Sequence, residues 1–140
     1  MRATLLGAAA LILAVQAVSV AAEGNLAAAP TTLEPLVLNG AEWSMAPLEY
    51  TLETGKYYHW AITADGLEEF AVVAPELWRN SWINQVVIND LEVKPMGLYS
   101  VEFDDEGTID IWFVPIRPGQ YAFWVDGFEE RGMLGHFMVN

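Results

Sequence analysis

The sequence contains no cysteine, and it is poor in histidine and in basic residues. Its 140 residues include two histidines and six lysines or arginines, against 19 acidic residues. Without a thiol, the chain has no cysteine nucleophile and no thiolate ligand for a soft metal ion. The shortage of Lys and Arg argues against nucleic acid and anionic membrane surfaces as partners, because both are bound through positive charge.

The N-terminal stretch is apolar and short. Arg2 precedes a nearly continuous apolar run from Leu5 to Val20, and small residues follow up to Ala22. This pattern predicts a secretory signal peptide over residues 1–22. The alternative is an uncleaved membrane anchor, which is the only membrane contact that we expect. Residues 23–32 are rich in alanine and are predicted to form a flexible leader.

The rest of the chain is long enough for one domain and is strongly acidic. Removal of 22 residues from 140 leaves 118, which can bury a core without disulfides. Arg2 is the only charged residue of the predicted signal, so the remainder has five basic and 19 acidic residues, a net charge of −14. This charge favours cationic partners, either a basic protein face or metal ions.

Residues 33–140 show the period-two alternation of β-strands, separated by turn residues. Pro75 suits the start of a short helical segment that we predict to extend to Trp82. Residues 104–107, three acidic residues followed by Gly107, are predicted to form a hairpin turn. Strands are predicted over 36–38, 48–52, 57–63, 70–73, 86–93, 98–103, 108–114, 121–125 and 134–139. Short strands separated by turns at this spacing are typical of an all-β sandwich.

Four stretches, taken in order and spacing, resemble one family. They are LEYTLETGKYYHWAI (48–62), EEFAVVAPELWR (68–79), FVPIRPGQYAF (113–123) and RGMLGHFMV (131–139). Together they resemble the cupredoxins, the blue copper protein superfamily. The resemblance implies a cupredoxin-like Greek-key β-sandwich, preceded here by a signal peptide, and a periplasmic location.

The residues that would hold copper in such a protein are largely missing. A blue copper site has two His, one Cys and a weak axial Met. The resemblance places the Cys at Val125, the first His at Glu69 and the second His within residues 126–131, where none is present. Only Met133 matches a ligand. We therefore predict a degenerate copper site and no cofactor.

An alternative is that the chain handles copper or another metal ion differently. The pairs at residues 68–69 and 129–130 are predicted to converge at one end of the sandwich. Met133, Glu69 and Glu130 would then form a site of thioether and carboxylate ligands, and carboxylates prefer hard cations. Two solvated charge pairs would give the same sequence pattern.

A second cluster points to a protein partner. Trp78, Arg79 and Trp82 share the predicted helical segment, and exposed aromatic residues with Arg are typical of protein-binding hot spots. The alternative is that these rings pack over the sandwich. His59 and His136 are predicted to lie on outer faces, and no arrangement indicates an enzyme. We predict a periplasmic accessory module that binds a protein, such as a respiratory or dehydrogenase complex.

Overall fold

The computed structural model of the chain describes residue 27 and residues 29–140. The predicted signal peptide and most of the predicted leader lie outside these residues. Within the described part, no helix is long and apolar enough to span a membrane. The strands of this part are β1 (Thr31–Thr32), β2 (Leu36–Asn39), β3 (Ser44–Ala46), β4 (Glu49–Leu52), β5 (Tyr58–Ala64), β6 (Phe70–Val73), β7 (Ser81–Ile88), β8 (Leu91–Val93), β9 (Ser100–Phe103), β10 (Gly107–Pro115), β11 (Gly119–Val125) and β12 (Leu134–Val139). The helices are α1 (Pro75–Arg79) and a 3₁₀ turn (Glu129–Arg131).

The strands form two sheets, which confirms the predicted all-β sandwich. The larger sheet has the order β3-β2-β5-β10-β7-β8, and β1 also pairs with β5. The smaller sheet has the order β4-β12-β11-β6-β9. Strands β8 and β9 are therefore the last strands of their sheets.

The core between the sheets is built from the inward residues of alternating strands. In β5, Tyr58, Trp60 and Ile62 are buried, whereas the residues between them are only half-buried. The Trp60 ring meets the Phe137 ring edge-on at 5.0 Å, and the Tyr50 ring stacks on Phe137 at 4.9 Å. The large aromatic side chains thus fill the interior, as the period of two predicts.

One polar pair is enclosed in this core. The Tyr50 hydroxyl and the Trp60 indole Nε1 are buried, and neither has a hydrogen-bond partner among the described residues. Burial raises the pKa of Tyr50 to about 12, the nearby Trp60 indole opposes the rise, and the Glu34 carboxylate adds to it. Because no well-formed hydrogen bond joins the two groups, desolvation decides the direction.

Strand β12, the last strand along the chain, packs against an aromatic ring from its neighbour β11. β12 lies between β4, which runs parallel to it, and β11, which runs antiparallel. A Cβ atom at Gly135 would lie 2.3 Å from the Phe123 ring and 2.5 Å from the Leu48 carbonyl oxygen. Only glycine therefore allows β12 to approach so closely.

The predicted helical segment is too long. Helix α1 ends at Arg79, and the Asn80 side chain donates a hydrogen bond to the Glu76 carbonyl oxygen at 2.8 Å. Trp82 and Ile83 belong to β7 instead. The spacing of four between Trp78 and Trp82 suggests a helix, but one residue lies in the core and the other on the outer face of the sheet.

Several predicted strand bounds and turns also differ from the structure. Residues 86–93 form the hairpin of β7 and β8, because Asn89 and Asp90 adopt positive φ angles that make a tight turn. The acidic turn at residues 104–106 is not a hairpin, since β9 and β10 belong to different sheets. Thr31 and Thr32 pair with β5, so the fold begins within the predicted leader.

Candidate functional site

The end of the sandwich where a cupredoxin would bind copper is here called the ligand end, and it comprises Trp43, Glu69 and residues 125–133. Val125, the position matching the cysteine, is fully buried at the end of β11. Its N–H donates to the Met133 carbonyl oxygen at 3.0 Å, and its carbonyl accepts from the Phe128 N–H at 3.0 Å. The loop is therefore closed by its own backbone.

Aromatic rings fill the ligand end. Phe128 stacks on Trp43 with centroids 5.0 Å apart and meets the buried Phe70 ring edge-on at 5.5 Å. The Arg131 guanidinium lies over the Trp43 ring at 4.7 Å, in a cation–π contact. Apolar and aromatic packing thus occupies the region that the resemblance assigns to imidazole and thiolate.

These residues do not fit a blue copper ion. A blue site needs a copper–thiolate bond and two imidazoles. The structure places the branched alkyl group of Val125 where the thiolate belongs, and the Phe128 ring lies in the segment that should supply an imidazole. Neither group donates a lone pair.

The alternative metal site is not assembled as an accessible group. The Met133 side chain is fully buried in the hydrophobic core, whereas Glu69 and Glu130 are exposed. In the part of the chain that the structure describes, no three His, Asp or Glu residues are close enough to hold a metal ion. This arrangement gives no support to a site shared by the thioether and the two carboxylates.

The predicted partner-binding cluster is divided by the fold. Trp78 is 5% exposed and packs edge-on against Phe113 at 5.4 Å, so the expectation that its ring is exposed is wrong. Trp82 is 47% exposed on the outer face of the larger sheet. Arg79 is exposed at the end of α1 and forms an ion pair with Glu76 at 3.7 Å. Arg79 and Trp82 are therefore both at the surface, three residues apart along the chain.

The two histidines lie on the outer faces of different sheets, so their side chains cannot contact each other. His59 Nε2 lies 2.6 Å from an Asp110 carboxylate oxygen, and its ring stacks on Trp112 at 4.3 Å. His136 lies on β12, on the outer face of the smaller sheet. The sequence gives no sign of the His59–Asp110 pair, because β5 and β10 are 51 residues apart at that contact.

Sequence reasoning also missed the closure of the ligand end. Phe128 and Arg131 lie within the expected ligand loop, but their positions in the sequence do not show which ring they contact. Trp43 has no such signal, because it is 85 residues away along the chain and reaches Phe128 only through the fold.

The two sheets and the position of the ligand end give this chain the architecture of a cupredoxin-like sandwich. No protein-family model and no curated protein matches the chain. Solved structures do match. They include reduced auracyanin from Roseiflexus castenholzii, with 16% identity over 80% of this chain and 98% of that chain at a TM-score of 0.53. Auracyanin A, a "blue" copper protein from Chloroflexus aurantiacus, shows 14% identity over 80% of this chain and 100% of that chain, with a TM-score of 0.54.

Longer copper enzymes contain a similar domain. The multi-copper oxidase from Pediococcus acidilactici shows 10% identity at a TM-score of 0.63, over 83% of this chain. The chain spans 27% of that oxidase and 30% of a multicopper oxidase from Campylobacter jejuni. At these identities the likeness shows the fold alone. The chain therefore has a cupredoxin-like fold without the Cys and His ligands of a blue copper site.

Proposed function

We propose that this chain is a secreted, periplasmic binding module that contacts a partner protein through the surface formed by Arg79, Trp82 and Ile116. The exposed indole of Trp82 carries the proposal. Burying a large aromatic ring is strongly favourable. A partner that covered the half-exposed Trp82 ring would therefore gain binding free energy from it.

The neighbours of Trp82 extend this surface. Ile116 is exposed at the end of β10, and its N–H donates to the Asn80 carbonyl oxygen at 2.8 Å. Arg79 adds a guanidinium held only by an exposed ion pair, which costs little to exchange for a partner carboxylate. Aromatic, aliphatic and guanidinium groups therefore lie within one small area.

The remainder of the molecule supports a role in binding over one in copper chemistry. The ligand end is filled by Trp43 and Phe128, and the chain has no thiol. The proposed role requires no catalysis and no cofactor. A component of a periplasmic respiratory or dehydrogenase complex is the partner that we favour.

The test is recovery of the partner from the native periplasm, followed by titration of the purified partner. We expect Trp82→Ala and Arg79→Ala to weaken binding, with Trp82→Ala costing about 2 kcal/mol or more, as hot-spot residues do. Two matched controls are available. Met138→Ala removes an apolar side chain of similar exposure, 42%, from the other sheet. Lys56→Ala removes a cation that, like Arg79, pairs with a Glu three residues earlier.

The proposal is wrong if the controls weaken the complex as much as the test variants, or if none of the four does. Full folding of each variant is checked by its unfolding midpoint, since these side chains are at the surface and should contribute little to stability.

A further inference from the structure

The open side of the sandwich carries a groove that the proposed contact does not use. The groove lies between the last strands of the two sheets, β8 and β9, and we call it the side groove. Its apolar part has a volume of about 260 Å³. It is lined by Val86, Ile88, Val93, Pro95, Leu98, Ser100, Val101, Glu102 and Ile109.

The side groove continues into an acidic part. A second cavity of about 250 Å³ shares Ile88, Glu102 and Ile109 with the first. Its other lining residues include Asp104, Asp105 and Glu106, and neither part is lined by a Lys or Arg. Lys94, which directly follows β8, is bound to Gln85 and Glu92. The groove therefore joins an apolar floor to uncompensated negative charge.

The rim of the side groove is unusually apolar for an edge. Leu91, Val93, Met96 and Tyr99 are all exposed there. Among the strands that the structure describes, none pairs with the far side of β8 or of β9, so each edge presents backbone N–H and C=O groups that can pair with another chain. Exposed apolar side chains beside an open strand edge are what an extended segment of another chain can pack against and pair with.

We infer that the side groove binds an extended segment of another protein in which apolar side chains stand next to lysines or arginines. The apolar side chains would cover Val93 and Ile88, and the cationic ones would meet the carboxylates of residues 102–106. This inference rests on the proposed function in that both describe protein binding, but it uses none of the residues of the Arg79–Trp82 surface.

The other candidate occupants fit less well. A second copy of this chain would bring together two molecules that each carry a large negative charge, −13 for the full sequence, which opposes association. The chain's own N-terminal segment leaves the fold at β1, beside β5, and two strands separate β5 from β8. That segment also has no basic residue between Arg2 and the fold, so it offers no cation to the acidic part.

The experiment uses three short synthetic peptides of equal length, which alternate valine with lysine, valine with glutamate, or serine with lysine. Binding is followed by backbone amide chemical shifts of the full chain. We expect only the valine–lysine peptide to bind well, with shifts at β8, β9 and residues 102–106, and with affinity that falls as salt is added. Failure of this peptide to bind overturns the inference, and so does equal binding by the serine–lysine peptide.

Matched variants locate the site. Val93 and Val37 are both 50% exposed, and Val37 lies on β2, far from the groove. Val93→Asp should lower the affinity for the valine–lysine peptide at least about tenfold, and Val37→Asp should leave it unchanged. Glu102→Gln should weaken binding less and reduce its salt dependence, and this variant keeps the apolar floor intact. Equal effects of Val93→Asp and Val37→Asp would contradict the inference.

Two further outcomes separate this inference from the proposed function. Trp82→Ala should leave peptide binding unchanged, so loss of binding in that variant would assign the peptide to the Arg79–Trp82 surface and not to the groove. Self-association of the wild-type chain in sedimentation, abolished by Val93→Asp, would show that a second copy occupies the groove, and would also overturn the inference.

Discussion

The ligand end and the side groove, two regions of one sandwich, have opposite surfaces. At the ligand end, Phe128, Trp43 and Arg131 close over a buried valine, so the place where cupredoxins carry out chemistry is sealed. Along the side groove, Leu91, Val93 and Met96 remain uncovered beside two open strand edges. The difference teaches that aromatic packing covers one end of the sandwich, whereas the open side between β8 and β9 leaves apolar side chains accessible.

The largest expected effect is a loss of stability on substitution of a core residue. Phe113→Ala should lower the free energy of unfolding by roughly 3–5 kcal/mol, because the Phe113 ring is fully buried and packs against Trp78 and Tyr58. Ile116→Ala, at the exposed end of the same strand, should change it by less than about 0.5 kcal/mol. Urea unfolding measures both. A cost below about 1 kcal/mol for Phe113→Ala would mean that the ring is not a core residue.

The enclosed Tyr50 hydroxyl should make stability fall in alkali. Its pKa is about 12 in the fold against 10.0 in the unfolded chain, so the unfolded state loses its proton first. The contribution is full below pH 10 and is lost as the pH rises to about 12, by roughly 2–3 kcal/mol. The measurement is the difference in pH dependence between the wild type and Tyr50→Phe, and parallel curves would refute it.

The aromatic rings that close the ligand end should contribute more to the free energy of unfolding than an aromatic ring at the rim of the side groove. Phe128→Ala should cost about 2 kcal/mol, because it removes a half-buried ring and its contacts with Trp43 and Phe70. Tyr99→Ala, at the rim of the groove, should cost less than about 0.5 kcal/mol, since that ring is exposed. Equal costs in thermal unfolding would erase the contrast between the two regions.

The smallest effect is expected from Met133, the one position that matches a copper ligand. Met133→Leu should change stability by less than about 1.5 kcal/mol, since leucine conserves volume in the core. Cupric ion added to either protein should give no intense blue colour, because that absorption requires thiolate bound to copper. Met138→Leu, at an exposed site, serves as the control. Tight, stoichiometric copper binding that Met133→Leu abolishes would favour metal handling instead.

The sequence predicts best those features that depend on residues close together along the chain. Strands β6 and β12 have the predicted bounds, because each is a short apolar segment, and the loss of the thiolate ligand follows from the absence of cysteine. The burial of Trp78 was not predictable, since it depends on where α1 meets Trp60 and Phe113. Nor was the side groove, which is formed by two strand edges that only the sheet order brings side by side.

The position of β12 has a consequence for how the chain is made. In the part of the chain that the structure describes, β4 pairs only with β12, and the register pairs Glu49 with His136 and Leu52 with Val139. The smaller sheet therefore stays incomplete until residue 139 has left the ribosome, and the β4–β12 contact, which spans about 87 residues, cannot close before then. Until that point β4 is without the strand that it pairs with in the finished fold.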